Sequence, residues 1–394
     1  MWGGCSNKHE IYIYNHDLTQ KMISKYLYYA QIRISGFVMA EVREHDKENE
    51  PFPVVALASL KRKINKKRIR VIISSDDGLQ NQIINNLKLV GIDNYYLVSE
   101  WNKRTICKKM VPRPIDEFYL EVNLADHCNL NCQCCDHFSP IASKTFLDYE
   151  QYVKDIQRLS QLSDGKIGLF KLQGGEPLLN DRLIDYIKIT RYYFPESVIC
   201  IFTDGLLLPK WGDYPDDRNI WSAIKKYEIE IRMTQYPIPI QIDKIVQKAQ
   251  EYEIPVTFTL PIGGKGARLW IFSEIGAPNY RGVKHSVKHP FDLQGKQEKF
   301  RFISCYQFNE SIVLRDGKIY TCPMIPYAHY FNEKFGENLQ VTEDCFVDIY
   351  AVQSFAEISE FCTHRTSFCD YCAVHQRFSM PWRQSDHDKN EWVL

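Results

Sequence analysis

The stretch Cys128-Asn129-Leu130-Asn131-Cys132-Gln133-Cys134-Cys135 places four thiols within eight residues. Core packing does not call for such a density. Cys128, Cys132 and Cys135 follow a C-x3-C-x2-C pattern. Three soft ligands on one loop can hold three irons of a four-iron cube and leave the fourth iron open to a substrate or cofactor. A zinc loop is the alternative, but it would want a fourth ligand and more often has C-x2-C spacing.

The sequence on both sides of this loop reads as alternating strands and helices. Phe118 to Leu124 alternates as a strand and runs directly into Cys128, and Tyr149 to Leu162 has the pattern of a helix. Ile167 to Leu172 is the next strand and ends at Gly174-Gly175-Glu176-Pro177. Val198 to Phe202 ends at Thr203-Asp204-Gly205, and Ile229 to Met233 ends at Thr234-Gln235-Tyr236-Pro237. Val256 to Leu260 ends at Pro261-Ile262-Gly263-Gly264. Each unusual cluster therefore falls at the carboxyl end of a strand, where parallel α/β folds place their chemistry. Five such units are visible, too few for a closed eight-fold barrel. The expectation is an open, partial barrel that could admit a large substrate.

The Gly174 to Pro177 turn suits a neighbour of such a cluster. An amino-acid ligand on the open iron presents an ammonium, which glycine carbonyls and the Glu176 carboxylate could accept. The plainer reading is a turn before a helix, with Pro177 near its first position.

With C-x3-C-x2-C after a first strand and Gly-Gly-Glu-Pro one βα unit later, the chain resembles the radical S-adenosylmethionine (SAM) superfamily over roughly residues 119–260. The resemblance implies that Cys128, Cys132 and Cys135 hold a [4Fe-4S] cluster whose open iron chelates SAM. Reductive cleavage would then give methionine and a 5′-deoxyadenosyl radical that takes a hydrogen from the substrate. By the same resemblance Gly174, Gly175 and Glu176, with Pro177 closing the turn, hold the methionine ammonium. Thr203, Asp204, Gly205 and Thr234 occupy strand ends that contact SAM. The family often has an adenine-packing aromatic just before the last cysteine. Here that position is Cys134, so the expectation moves the adenine contact to His137 and Phe138. Asp204 stands where the family commonly has Asn.

Further on, Cys305 and Cys322 are spaced C-x11-G-x4-C around Gly317. Ser311 to Leu314 and Lys318 to Tyr320 read as a hairpin. Cys369 and Cys372 add a C-x2-C pair. Two pairs of thiols suit a cluster or a structural zinc equally. The spacing is similar to the start of the SPASM/twitch extension of radical SAM enzymes. With no cysteine beyond Cys372, it looks like the shorter twitch form, which implies a second, auxiliary [4Fe-4S] cluster on Cys305, Cys322, Cys369 and Cys372, with Cys362 as a substitute ligand. Cys200, inside an apolar strand, reads as a small buried hydrophobe. Cys345 and Cys362 are candidate hydrogen-atom donors to a substrate radical.

Toward the N-terminus, strands at Ile11 to Tyr14, Ile32 to Val38, Arg68 to Ser74 and Tyr95 to Val98 alternate with helices at Leu18 to Tyr29 and Gly78 to Leu89. That order argues a small Rossmann-like parallel sheet. Its first turn, Asn15-His16-Asp17-Leu18, has none of the glycines that dinucleotide binding needs. A docking or substrate-presenting role is preferred. Lys61 to Arg70 is strongly basic and reads as the solvated end of a helix and its loop. The α/β expectation is thus a Rossmann-like domain over 1–100 and a linker over 101–116. A partial (β/α)6-type barrel over 117–290 and a twitch-like hairpin and helix domain over 291–394 complete it.

The 394-residue chain carries 49 basic and 49 acidic residues, which gives no footprint for nucleic acid or an anionic membrane. Met1 to Glu10 has no signal-like apolar core, and no run approaches a membrane span. The chain therefore reads as cytoplasmic. Thirteen cysteines in that setting point to metal or redox use rather than disulfides. The resemblance extends to a twitch-bearing group associated with bacterial surface-sugar biosynthesis, through Cys-Asp-His-Phe-Ser-Pro at 135–140 and the closing Phe-Cys-x-Tyr-Cys. It implies oxidation or epimerisation of a carbohydrate-type substrate, with an external one-electron donor such as flavodoxin or ferredoxin. Peptide maturation is the alternative, disfavoured because residues 11–98 do not resemble a winged-helix peptide-binding module. A non-catalytic iron-sulfur or zinc scaffold would leave Gly-Gly-Glu-Pro unexplained. Gly263 to Gly266, Trp270 to Tyr280 and His285 to His289 are expected in the substrate wall.

Overall fold

The structure is a computed structural model that describes residues 9–15, 17–47, 52–64, 68–75, 77–258, 264–272 and 285–394. Two compact units divide the chain. The first comprises residues up to Val111 together with Glu298–Cys305 and Thr363–Arg365. The second holds Pro112–Gln297, Tyr306–Cys362 and Thr366–Leu394.

In the first unit, strands β1 (His9–Tyr14), β2 (Gly36–Met39), β3 (Val54–Ala56), β4 (Arg68–Ile73) and β5 (Tyr95–Leu97) form one sheet in the order β3-β2-β1-β4-β5. Every pairing in it is parallel. Helices α1 (Leu18–Tyr29), α2 (Leu57–Ile64), α3 (Asp77–Leu89) and α4 (Glu100–Met110) accompany it. This is the doubly wound order expected of a Rossmann-like sheet. Asp17 caps α1, its carboxylate accepting from Thr19 N at 2.9 Å and Gln20 N at 3.3 Å. The first βα turn thus spends its acidic side chain on its own helix; His16 lies outside the described residues. β3 went unread in the sequence because it is only three residues long, whereas the basic stretch from Lys61 was read as the end of a helix, and that helix is α2. The basic stretch read as a linker is helix α4, capped by Ser99, and the second unit begins at Pro112.

The second unit opens with β6 (Tyr119–Ala125), α5 (Tyr149–Ser163), β7 (Leu169–Gly174), α6 (Leu183–Tyr193) and β8 (Val198–Thr203). It continues through α7 (Leu208–Gly212), α8 (Ile220–Tyr227), β9 (Glu230–Thr234), α9 (Ile242–Glu251), β10 (Val256–Thr257) and β11 (Arg268–Phe272). Then follow β12 (His285–Lys288), β13 (Ile312–Arg315), β14 (Lys318–Tyr320), α10 (Ala328–Phe335), β15 (Phe346–Asp348), α11 (Phe355–Phe361) and β16 (Phe378–Pro381). Nine of these strands form one sheet in the order β10-β11-β9-β8-β7-β6-β13-β14-β15.

The six strands from β6 to β11 are parallel and make the partial barrel, with one departure from sequential order. β11 sits between β9 and β10, pairing Arg268 with Glu230 and Leu269 with Val256. The hairpin of β13 and β14 extends the same sheet, β13 running parallel to β6 through Ile312–Leu120 and Val313–Glu121. This shared sheet is why most of the C-terminal region, apart from Glu298–Cys305 and Thr363–Arg365, joins the barrel in one unit. Leu120, Val122, Leu172, Ile199, Ile201, Ile231, Leu269 and Ile271 pack on helix residues such as Ile156, Leu159, Ile187 and Ile224 in a continuous core. Each such side chain contributes about 1.5–3 kcal/mol on burial. Alternate strand residues necessarily face the opposite side of the sheet. Among the described residues no helix is long and apolar enough to cross a membrane.

Candidate functional site

The strand ends of the partial barrel converge on a cavity of about 790 Å³. Cys128, Cys132 and Cys135 all line it, together with Gly174, Gly175, Glu176, Thr203, Asp204 and Thr234. Its volume lies in the range of small-molecule sites. Among the described residues no three His, Cys, Asp or Glu side chains converge on a single ion. All three thiols line this one cavity.

The loop carrying them follows β6 and is strongly curved. Asn131, Cys134 and Phe138 adopt left-handed backbone, at φ 52°, 56° and 54°. Non-glycine residues accept that conformation only where the surroundings impose it, as binding sites often do. The turn after β7 is fastened to the start of this loop. Gly175 N donates to Ala125 O at 2.8 Å and Glu176 N to His127 O at 3.1 Å. A Cβ on Gly174 would stand 2.3 Å from Ala125 O, and one on Gly175 2.1 Å from His127 O. The two glycines are therefore required by close backbone approach, so the turn and the cysteine loop hold one position together.

Glu176 is buried, and its carboxylate accepts from Thr203 Oγ1 at 2.8 Å, Leu178 N at 3.0 Å and Asp204 N at 3.0 Å. Burial pushes its pKa well above the carboxylate range, and the neighbouring Asp204 adds to the shift. Burial likewise pushes Asp204 up to about 6. Asp204 Oδ1 accepts from Leu206 N at 2.9 Å, Oδ2 has no hydrogen-bond partner among the described residues, and the nearby Asn129 amide favours the charged carboxylate. Of the two carboxyls, Asp204 is the one with a free acceptor in the cavity wall. Around the thiols, burial works against ionising Cys135, but the hydrogen bond and charge of His137 and the backbone N–H groups of His137 and Ser139 outweigh it and lower its pKa. Burial pushes Cys128 up. Tyr236, raised by burial and by the charges of Cys132 and Cys128, lies beside the loop.

The residues present fit an iron-sulfur group: three thiols share one cavity, the pKa of one of them is lowered by His137, and the buried Asp204 carboxyl lies beside them. Cys128, Cys132 and Cys135 would hold it.

Several sequence expectations change here. Phe138 does not face the cavity; it is fully buried among Phe291, Phe331 and Trp392, at ring-centroid distances of 6.1, 5.8 and 5.9 Å. His137 does line the cavity. Gly205 packs on Met233, where a Cβ would meet the sulfur at 2.6 Å, and Pro177 is buried behind the turn. Cys345 and Cys362 are both fully buried and neither lines the cavity. Cys362 belongs to the apolar core under α11, and Cys345 Sγ lies 3.5 Å from Ser367 Oγ. Neither placement allows a thiol to face a ligand there. Cys200 is buried, as read, with Sγ 3.3 Å from Phe170 O. Of the second thiol set, Cys322 follows β14 and contacts Gln307 Oε1 at 3.4 Å. Cys369 and Cys372 share one turn, Cys372 N donating to Cys369 O at 3.3 Å. Cys305 ends a short turn of the first unit. Trp270 is a strand residue of β11, Gly264 and Gly266 do not line the cavity, and residues 259–263 and 273–284 lie outside the described residues.

One wall of the cavity was anticipated only in part: Ser286 and Val287 of β12, within the expected His285 to His289 segment, line it, whereas β16 and the segment after it were not read. β16 pairs antiparallel with β12, and the segment after it runs along the cysteine loop. Gln133 Nε2 donates to Pro381 O at 2.9 Å, Gln133 N to Arg383 O at 3.1 Å and Ser385 N to Asn131 O at 2.8 Å. Cys134 N donates to Glu391 Oε2 at 3.4 Å, and Trp392 Nε1 to Cys135 O at 3.0 Å. Phe378, Ser379 and Trp382 from this strap face the cavity, and the rings of Trp382 and Tyr236 lie 5.5 Å apart. The available signal was the pair Phe378 and Trp382 in Phe-Ser-Met-Pro-Trp, which resembles any apolar strand.

Compared with known proteins, no family model matches the chain. It is 27% identical over 155 residues to a GTP 3′,8-cyclase of Sulfurovum sp. (strain NBC37-1), covering 37% of this chain and 47% of that protein. It is 34% identical over 103 residues to a GTP 3′,8-cyclase of Petrotoga mobilis (strain DSM 10674 / SJ95), covering 25% and 30%. The matches thus span less than half the length of these relatives. Among solved structures, BtrN in complex with AdoMet and 2-DOIA aligns over 72% of this chain and 100% of that one, with a TM-score of 0.41 at 14% identity. SuiB of Streptococcus suis bound to precursor peptide SuiA aligns over 75% and 82%, with a TM-score of 0.34 at 12% identity.

Proposed function

We propose that this chain, which fits the radical SAM superfamily, is an enzyme that cleaves SAM reductively and removes a hydrogen from a carbohydrate-type substrate. The observation that carries the reading is the convergence of Cys128, Cys132 and Cys135 with the Gly174–Glu176 turn, Thr203, Asp204 and Thr234 on one cavity. When bound at these thiols, a [4Fe-4S] cluster and SAM supply a 5′-deoxyadenosyl radical. The chain's own residues hold the reactants and shield them. Cys128, Cys132 and Cys135 anchor the cluster. The backbone of Gly174 and Gly175 and the free oxygen of Asp204 receive a cationic ammonium, a role Glu176 supports by fixing Asp204 N and Thr203. Tyr236 and Trp382 close the cavity against water from the strap side.

Oxidation is preferred to epimerisation because Cys345 and Cys362, the candidate hydrogen donors, lie away from the cavity. The auxiliary cluster on Cys305, Cys322, Cys369 and Cys372 and the external flavodoxin- or ferredoxin-type donor belong to the proposal on the sequence pattern alone. Anaerobic protein reduced with dithionite should form 5′-deoxyadenosine from SAM and contain about eight irons if both cubes are present. Stoichiometric zinc in place of iron would overturn the reading. With substrate in deuterated water, a carbonyl product without solvent deuterium at the reacting carbon supports oxidation; retained solvent deuterium there would require epimerisation.

A further inference from the structure

The strap wall of the cavity begins with a cation that the proposed chemistry does not use. Arg377 immediately precedes β16, and both it and Ser379 line the cavity. The two lie two residues apart on extended backbone, so their side chains leave the strand on the same side. Among the described residues no lysine and no other arginine lines the cavity. Arg377 is exposed, and its side chain makes no ion pair or hydrogen bond with another described residue. The Ser379 hydroxyl is likewise exposed and without such a partner.

The guanidinium is nevertheless held in place. Its central carbon lies 4.7 Å from the centroid of the Tyr306 ring, another residue of the cavity lining. That ring is fixed in turn: Tyr306 OH donates to Asp136 Oδ2 at 3.1 Å, and the His289 ring lies 4.9 Å away. Asp136 is the acid of this corner, and its carboxylate is already engaged. Oδ2 also accepts from Gln307 Nε2 at 2.6 Å, and Oδ1 lies 2.8 Å from His289 Nδ1. The other carboxyls of the lining, Glu176 and Asp204, belong to the strand ends. The charge of Arg377 is thus set on a clamped aromatic plate and left uncompensated by any described acid. Five residue steps of about 3.3 Å put roughly 16 Å of backbone between Arg377 and Trp382. Trp382 is the strap residue whose ring lies 5.5 Å from Tyr236, so the cation stands at the other end of the strap.

We infer that Arg377 and Ser379 seat a phosphate group carried by the substrate, which makes that substrate a phosphorylated sugar. The inference rests on the proposed carbohydrate-type reading and narrows it. A guanidinium fork takes two oxygens of an oxyanion in parallel hydrogen bonds. A phosphate keeps a further oxygen for the Ser379 hydroxyl, whereas a carboxylate has only the two that the fork uses. The carboxylate of SAM is the other oxyanion at hand, so one arm of the test reads SAM alone.

Thermal unfolding of the anaerobic, cluster-reconstituted full chain reads binding without turnover. The probes, each added alone, are glucose 6-phosphate, methyl glucoside, glucuronate and SAM. At about 10 mM, glucose 6-phosphate should raise the wild-type midpoint by roughly 2–4 °C, and methyl glucoside and glucuronate by less than half of that. Arg377→Gln should lose at least half of the glucose 6-phosphate shift, and Ser379→Ala a smaller part. Both side chains are exposed, so neither variant should move the unliganded midpoint by more than about 1 °C. The shift produced by SAM should be the same in the wild type and both variants. An undiminished glucose 6-phosphate shift in either variant, a larger shift with glucuronate or methyl glucoside, no shift with glucose 6-phosphate, or loss of the SAM shift in Arg377→Gln would overturn the inference. Absence of SAM cleavage by the wild type would instead undo the proposed function, and it is read in a separate assay.

Discussion

The two walls of the cavity are built on different principles. The strand-end wall, from Gly174 to Thr234, is rigid and buried: Glu176 alone takes three hydrogen bonds, and two glycines are pressed against the backbone of the cysteine loop. The strap wall, from Phe378 to Trp392, is tied to the same loop by backbone hydrogen bonds and by the buried side chains of Gln133, Glu391 and Trp392. The first wall belongs to the barrel core and the second is added to it. The difference teaches where tolerance to change should lie: substitutions in the strand-end wall act on the stability of the whole unit, and those in the strap act on the loop alone.

The largest expected effect is Glu176→Ala. Three donors lose their acceptor inside the protein, so the unfolding free energy measured by chemical denaturation should fall by about 3–4 kcal/mol. A loss below about 1 kcal/mol would put the rigid wall elsewhere.

Next comes the pH response of the same wall. Burial raises Asp204 to about 6 from its ordinary 3.8. The folded state therefore holds a proton that the unfolded chain releases, and stability declines as pH rises through that window. Asp204→Asn should stabilise the protein by about 2–3 kcal/mol at pH 8, and the gain should vanish near pH 4. A gain that did not change with pH would show that the carboxylate charge carries no cost there.

The smallest effect belongs to the strap. Gln133→Ala removes the bonds to Pro381 O and Arg383 Nε and should cost about 1–2 kcal/mol. Hydrogen exchange should quicken at the Gln133 and Ser385 amides and stay unchanged in β6 and β7. Exchange that quickened equally in β6 would erase the distinction between the walls.

The strand-end wall was largely legible in the sequence. Its cysteines and Gly-Gly-Glu-Pro are local clusters, and hydrophobic periodicity places them at strand ends. The parallel order of the N-terminal sheet was legible for the same reason. The strap was not, since Gln133 and Arg383 are 250 residues apart and nothing local marks their pairing. The insertion of β11 between β9 and β10 is likewise a choice of pairing that alternation cannot reveal. Phe138 misled because an aromatic beside a cysteine loop suits either a ligand or a core, and here Phe291, Phe331 and Trp392 claim it. Cys345 and Cys362 misled because a thiol's chemistry says nothing of which way it faces.

The central claim is that Cys128, Cys132 and Cys135 hold the group at which SAM is cleaved. The most direct measurement is 5′-deoxyadenosine formation by anaerobic, dithionite-reduced protein in which all three are changed to Ala, with iron analysed on the same samples. The account predicts no product above background and the loss of about four irons relative to the wild type. Undiminished 5′-deoxyadenosine from the triple variant would contradict it.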